Sequence, residues 1–258
     1  MHSPLIILSR VLHIGTLDPA DLGKNSGASS QEGRCLSVSL CPNAWQQIAR
    51  LGGYPVHELT CSGGTFLDVH AVQNDQALLT AVLDWAGAKQ LVQDRSLWKA
   101  WQYDDELECW RYILSASKQA AFEEADIEGV YDHPDELPGP GDRPGLECVT
   151  VPVATAMLQT LTGMPCGPET DSTDAAIVAW AMEQLPELIG RPVDGLWWRE
   201  TYDPDGLSAP RGAIFPSRVP EWAARVCDLD AVDDDSELEA TPETGIETVS
   251  RHPAPASR

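Results

Sequence analysis

Lysine is scarce in this sequence. Only four of the 258 residues are lysine, against 40 aspartate and glutamate residues, and the formal net charge is −23. A chain this acidic repels polyanions on average, which disfavours nonspecific binding to nucleic acid. Two interpretations of the acidity remain open: a solvated acidic surface, or a decoy that imitates a polyanion and occupies the site of a basic partner.

Long apolar runs and metal-binding cysteine pairs are also missing. No apolar segment approaches the roughly 18 residues that suggest a membrane-spanning helix, so we expect no membrane association. The seven cysteines are scattered, with no C-x-x-C pair and no histidines at ligand spacing beside them. This pattern favours reduced thiols in a cytoplasmic protein and predicts no metal site.

The common catalytic signatures are absent as well. The sequence contains no glycine-rich phosphate loop, no H-E-x-x-H and no G-x-S-x-G. These absences argue against the widespread nucleotide-hydrolase, metalloprotease and serine-hydrolase families. Function therefore has to be sought in shorter combinations of residues.

Hydrophobic periodicity and composition predict the organisation of the chain. We expect one α+β domain over residues 1–227, with strand-rich ends around a helical insertion at about 74–130. The insertion is predicted helical because aromatic and aliphatic residues recur in it at spacings of three to four. A proline- and glycine-rich loop is predicted at 131–145, and the acidic segment 228–258 is predicted to be a disordered tail.

The first candidate site segment closes the predicted strand 5–15. A glycine at the end of a strand, here Gly15, lets a ligand approach the backbone closely. The side chain of His13 is placed to hydrogen-bond a sugar hydroxyl. The alternative interpretation of these residues is a strand that ends in an ordinary turn.

The second candidate segment is the stretch DGLWWRE near the end of the predicted domain. Alternation along a strand places Trp198 and Glu200 on one face and Trp197 on the other. A carboxylate beside an aromatic ring suits a reaction that builds positive charge on a sugar. The alternative is an edge strand whose tryptophans pack on the preceding helix, with a solvated glutamate.

Five arginines follow one another closely in this otherwise acidic chain. They either form a basic face for an anionic ligand or pair with local carboxylates. They are Arg191, Arg199, Arg211, Arg218 and Arg225.

Together these segments resemble the ADP-ribosyltransferase superfamily, which includes diphtheria-toxin-like enzymes, poly(ADP-ribose) polymerases and RNA 2′-phosphotransferases. In those families a first strand ends in a histidine-glycine-threonine element, and LHIGT at 12–16 is similar with one inserted residue. LSVSL at 36–40 looks like the serine-bearing second strand of related toxins. A later strand supplies a catalytic glutamate. The resemblance covers about the first 60 residues and 190–216.

The resemblance implies a split β-sheet core that uses NAD as a substrate. His13 would contact the nicotinamide ribose, Gly15 the carboxamide, and Glu200 would be the catalytic carboxylate. Arg211 is a candidate for a phosphate of NAD. The remaining implied NAD-binding residues are Thr16, Ser37, Ser39, Tyr54 and Trp198.

The implied activity is transfer of ADP-ribose from NAD to an unidentified macromolecular acceptor, either protein or nucleic acid. A toxin or phage-conflict effector with a neutralising partner protein would suit this family. Three alternatives stay open. They are an NAD glycohydrolase of the same fold, a member that binds NAD without turnover, and a non-enzymatic acidic binding protein such as an immunity factor or inhibitor.

Overall fold

The computed structural model describes residues 4–18, 33–48, 51–104, 109–125, 145–171, 173–200 and 209–228. The fold is of mixed α+β class. No helix among these residues has the length and apolar character needed to cross a bilayer. The acidic tail after Asp228 and the predicted loop up to residue 144 lie outside the described residues.

The described residues form ten strands and five α-helices. In chain order they are β1 (Leu5–Ile14), β2 (Leu36–Val38), α1 (Pro42–Ile48), β3 (Val56–Asp68), α2 (Gln76–Ala88), β4 (Val92–Asp104), β5 (Cys109–Ser115), α3 (Lys118–Glu124), β6 (Leu146–Ala156), α4 (Gln159–Thr162), β7 (Cys166–Asp171), α5 (Ala175–Ile189), β8 (Gly195–Trp198), β9 (Arg211–Ile214) and β10 (Ala223–Cys227). Short 3-10 helices at Val69–Asn74 and Val219–Glu221 complete the set.

The chain divides into two compact units. The first unit combines residues 1–78 with 178–258, and the second comprises residues 79–177. The second unit contains most of the segment 74–130 and continues to residue 177.

The sheet of the first unit curls back on itself. Its strands lie in the order β1-β3-β8-β9-β2, and β10 pairs with β3 beside this path. β1 and β2 stand at opposite ends of the order, yet Leu12 and Ser39 exchange two backbone hydrogen bonds of 2.9 and 2.8 Å. One bridge thus joins the two ends of the sheet.

The inner face of this curled sheet forms the core of the first unit. A register shift between Leu8 and Arg10 in β1 changes which residues face inward, as expected for a β-bulge. Two tryptophan rings approach the backbone of the sheet at glycines. A Cβ at Gly212 would stand 2.4 Å from the ring of Trp197, and one at Gly64 would stand 2.2 Å from the ring of Trp222. Only glycine leaves room for these rings.

The predicted helical middle is wrong for its central part. Helices α2 and α3 do form, but residues 92–104 and 109–115 between them are strands β4 and β5. β4 pairs with both β5 and β6 in a sheet of order β5-β4-β6-β7. Trp98 and Ala100 pack with Phe122 of α3, whereas Lys99 lies against the ring of Trp101. The side chains alternate with period two, so the spacing of the tryptophans was misleading.

Candidate functional site

The two adjacent tryptophans of β8 point to opposite faces of the sheet, as the alternation predicted. Trp197 is 2% exposed and lies in the core, where Phe66 meets it edge-on with ring centroids 6.1 Å apart. Trp198 is 1% exposed and lies opposite Arg211 of β9. The guanidinium carbon of Arg211 stands 4.4 Å from the centre of the Trp198 ring. Trp198 is therefore covered by an arginine and is not an open platform for a ligand.

Arg211 in turn binds the predicted catalytic carboxylate. Its Nε donates to Oε2 of Glu200 at 3.3 Å, and its Nη2 donates to Oε1 at 3.1 Å. The Arg211 side chain is 4% exposed and that of Glu200 is 25% exposed. A buried guanidinium needs such a partner, because its charge is costly to remove from water unpaired. The structure thus joins Trp198, Arg211 and Glu200 into one cluster.

This Trp198–Arg211–Glu200 cluster holds a carboxylate at the surface in a fixed orientation. Each oxygen of Glu200 accepts one bond from Arg211, and a carboxylate oxygen has a second lone pair. The Glu200 side chain is 25% exposed, so a hydroxyl that approaches from solvent could donate to such a lone pair. The arrangement can bind a polyol, or stabilise a nearby cationic carbon.

Ser39 fixes the backbone beside this cluster. Its hydroxyl donates to the carbonyl of Pro210 at 2.8 Å and accepts from the amide of Cys41 at 2.9 Å. Since a hydroxyl has one proton to donate, Ser39 offers no donor to NAD. Its place next to Arg211 gives it a positioning role instead.

His13 is buried at the end of β1 and is held by backbone groups. Its Nδ1 lies 2.7 Å from the carbonyl oxygen of Ser37, and its Nε2 lies 3.1 Å from that of Thr16. The ring is 2% exposed and stacks on His57 with centroids 6.3 Å apart. Both ring nitrogens are thus occupied by neighbours, and the predicted contact with a ribose would require one of them to be released.

The environment of His13 favours the uncharged ring. Burial lowers the pKa of His13 from its ordinary value, and the neighbouring His57 lowers that pKa further. The carbonyls of Ser37 and Thr16 raise the pKa but do not overcome burial. A neutral imidazole has only one N–H, so it donates to one of these two carbonyls at a time.

The other predicted ligand residues of this group differ in their exposure and in their hydrogen bonds. Gly15 has φ 130°, a conformation that favours glycine, and its amide donates to the carbonyl of Pro55 at 2.9 Å. Its N–H is therefore unavailable to a carboxamide. Thr16 is exposed and Tyr54 is 46% exposed. Within the described part of the chain, the buried hydroxyl of Ser37 has no hydrogen-bond partner.

The predicted site residues thus fall into two groups. One is the Trp198–Arg211–Glu200 cluster, and the other gathers around His13. No hydrogen bond or ion pair joins His13 to Glu200 in the described residues. The backbone from Ser37 to Ser39 connects the two groups. Ser37 lies in β2, where its carbonyl contacts His13, and Ser39 follows β2 and binds the carbonyl of Pro210.

Four of the five clustered arginines pair with carboxylates. Besides Arg211 with Glu200, Arg199 binds Asp68 at 2.7 Å and Arg218 binds Asp194 at 3.2 Å. The fourth, Arg225, binds Glu58. The pairing interpretation is confirmed for these four, and they do not form a free basic face.

Glu58, which was not among the predicted site residues, joins three strands. Arg225 of β10 and Arg10 of β1 both bind this residue of β3, the latter at 2.6 Å. The two guanidinium groups, that of Arg225 first, hold the pKa of Glu58 below its ordinary value. Alternating charges on predicted strands were the only available signal, and they did not reveal which strands pair.

The lowered pKa of His13 predicts a stability that falls on mild acidification. Below the ordinary histidine pKa the unfolded chain binds a proton that native His13 does not, so the free energy of unfolding rises with pH in that window. We expect His13→Gln to remove part of this slope between about pH 7 and pH 5. Urea denaturation at a series of pH values measures it. The contribution of Glu58 is lost only at lower pH, so it does not interfere. Equal slopes in wild type and variant would contradict the prediction.

Among the residues with described positions, no three histidine, cysteine, aspartate or glutamate side chains gather in a way that could hold a metal ion. The seven described ranges do contain an arginine-bound carboxylate, Glu200, and a buried histidine, His13, both in the first unit. Comparisons with protein families, with curated proteins and with solved structures find no match to this chain.

Proposed function

We propose that this chain is an NAD-dependent ADP-ribosyltransferase whose catalytic carboxylate is Glu200. The single observation that carries the proposal is the clamp on Glu200, in which both oxygens bind the buried guanidinium of Arg211 over Trp198. A charged carboxylate at the end of an inner strand, oriented but a quarter exposed, is what stabilisation of a cationic ribose requires.

The proposed step is a substitution at the anomeric carbon of the nicotinamide ribose. The bond from C1′ to the nicotinamide nitrogen breaks, and nicotinamide leaves with the bonding electron pair. Glu200 accepts a hydrogen bond from a ribose hydroxyl and stabilises the positive charge on the sugar. The acceptor then forms the new bond to C1′ and loses its proton to solvent. With water as the acceptor, the same step is NAD hydrolysis.

The two groups of residues take different parts in this proposal. We assign Arg211 to orienting Glu200 rather than to a phosphate of NAD, because its guanidinium is buried and engaged. His13 lies between the carbonyls of Ser37 and Thr16 at the end of β1, and its single N–H fixes one of them at a time. The curled sheet, with β1 and β8 both adjacent to β3, is compatible with the split sheet of an ADP-ribosyltransferase.

Incubation with NAD tests the proposal directly. We expect the purified chain to release nicotinamide, measured by chromatography, and to show a higher melting temperature in the presence of NAD. Transfer of labelled ADP-ribose to a cell extract separates a transferase from a glycohydrolase. A higher melting temperature in the presence of NAD, with no release of nicotinamide, would identify an inactive NAD-binding member of the fold. If NAD neither raises the melting temperature nor is cleaved to nicotinamide, the proposal is overturned.

A second candidate function, an acidic binding protein, is favoured by the internal pairing of the arginines. Four of them are bound by carboxylates of the same unit, so they form no free basic face, and the formal net charge of the chain is −23. Such a protein would occupy the anion site of a basic partner. Removal of residues 228–258 discriminates the two functions, because a decoy loses affinity for its partner whereas a transferase keeps NAD cleavage.

A further inference from the structure

A cleft that shares no residue with the predicted NAD site lies where α5 ends and the chain turns toward β8. Its volume is about 460 Å³. This size falls within the range of pockets that hold small organic ligands. All of the residues that line it belong to the first unit.

One wall of the cleft is a stripe along α5. Met182, Pro186 and Gly190 are four positions apart, so they lie above one another on one side of the helix. Met182 is 46% exposed, so its side chain is accessible from the solvent side of α5. Gly190, at φ 68°, ends the helix and turns the chain across the cleft.

The floor of the cleft is apolar and firmly held. Val193 is 3% exposed and Phe215 is 4% exposed. The amide of Phe215 donates to the carbonyl of Asp194 at 2.8 Å, which ties the segment before β8 to the segment after β9. The floor is therefore a preformed surface rather than a loop that must be ordered on binding.

The charged groups of the lining are all of one sign. Arg191 and Arg218 line the cleft, and no aspartate or glutamate does so among the described residues. Nε of Arg218 donates to Oδ1 of Asp194 at 3.2 Å, and its Nη1 donates to Glu221. The other oxygen of Asp194 accepts from the amide of Thr65 at 2.7 Å.

This arrangement fixes the orientation of the Arg218 guanidinium but does not occupy all of its N–H donors. A guanidinium carries five N–H donors, and the contacts with Asp194 and Glu221 take two. The remaining donors belong to a group that is already desolvated in part and held in one orientation. Such an arginine suits recognition of a carboxylate, whose two oxygens can each accept a bond.

We propose that this cleft binds a small organic carboxylate with an apolar body about the size of a bicyclic aromatic. The body lies between the α5 stripe and Phe215, and the carboxylate meets Arg191 and Arg218. The apolar contacts supply most of the affinity, and the two arginines select the charge of the ligand. The site is independent of the proposed NAD chemistry.

The methionines provide a site-specific measurement. The sequence has only four of them, so ¹³C-methyl labelling gives four resonances that can be assigned by substitution. Met182 lines the cleft, whereas Met157 and Met164 belong to the second unit and report on its folding. We expect 2-naphthoate to shift the Met182 resonance saturably, with a dissociation constant of about 1 mM or tighter.

Two comparisons test the role of charge. The uncharged 2-naphthamide, which has nearly the same shape, is expected to bind at least about tenfold more weakly than 2-naphthoate. Arg191→Gln is expected to weaken the binding of 2-naphthoate by a similar factor. The matched control is Arg95→Gln, which removes an exposed arginine of β4 in the second unit and should leave the affinity unchanged.

Three results would each overturn the proposal. They are the absence of a saturable Met182 shift up to about 10 mM ligand, equal affinity for the acid and the amide, and unchanged affinity in both Arg191→Gln and Arg218→Lys. If a variant fails to fold, which displaced Met157 and Met164 resonances would report, the comparison of the acid with the amide on the wild-type chain still decides.

Discussion

Glu200→Gln is expected to lower the rate of nicotinamide release by about 100-fold or more. The substitution keeps the shape of the side chain and one oxygen for Arg211, but it removes the negative charge that would stabilise the cationic ribose. The 25% exposure of the Glu200 side chain leaves it accessible to NAD. Chromatographic measurement of nicotinamide under saturating NAD gives the rate of turnover.

The design must separate a loss of chemistry from a loss of folding. Glu200→Gln leaves the charge of buried Arg211 without its counter-ion, so some destabilisation accompanies the change. The assay is therefore run below the melting temperature of the variant. Glu187→Gln, at an exposed position of α5, is the matched control that should keep full activity. Turnover by Glu200→Gln at the wild-type rate would remove Glu200 from the proposed role.

Trp197→Ala is expected to lower the free energy of unfolding by about 3–5 kcal/mol. The ring is 2% exposed, meets Phe66 edge-on and lies over Gly212, which has no side chain to fill the space that the ring would leave. A loss of this size is a large part of the roughly 5–15 kcal/mol that typically stabilises a folded protein. Urea denaturation followed by circular dichroism measures the loss.

Trp197→Phe is the matched comparison for this residue. It keeps an aromatic ring beside Phe66 and removes less volume, so we expect a clearly smaller loss than for alanine. A loss below about 1 kcal/mol for Trp197→Ala would show that the ring is not an essential part of the core.

Local sequence patterns predicted where strands of the first unit lie, but they did not predict which strands pair with one another. The run at 5–15 corresponds to an observed strand, and so does the first part of the alternating stretch, from Gly195 to Trp198. Which strands pair is decided by contacts between distant parts of the chain. Because no short turn connects β8 to β9, nothing local fixed the register that puts Arg211 opposite Trp198.

The same limit explains what was missed at the candidate site. The opposite faces of Trp197 and Trp198 follow from strand geometry alone, and that prediction is confirmed. The burial of His13 depends on the carbonyl of Ser37, which lies 24 positions away along the chain. The central strands of the second unit were predicted as helix because Trp98 and Trp101, three positions apart, match the helical period, whereas in the observed strand they lie on opposite faces.

The interleaved strand order has a consequence for the making of the protein. Thr65 and Asp194 exchange hydrogen bonds although they are 129 positions apart, and the first unit is built from both ends of the chain. On a ribosome that adds about 5–20 residues per second, the first strands must wait several seconds for β8 and β9 to be synthesised. The second unit, continuous in sequence, is complete before then. Until β8 and β9 are synthesised, the apolar faces of β1 and β3 lack these partners, and during that interval the nascent chain is most exposed to aggregation.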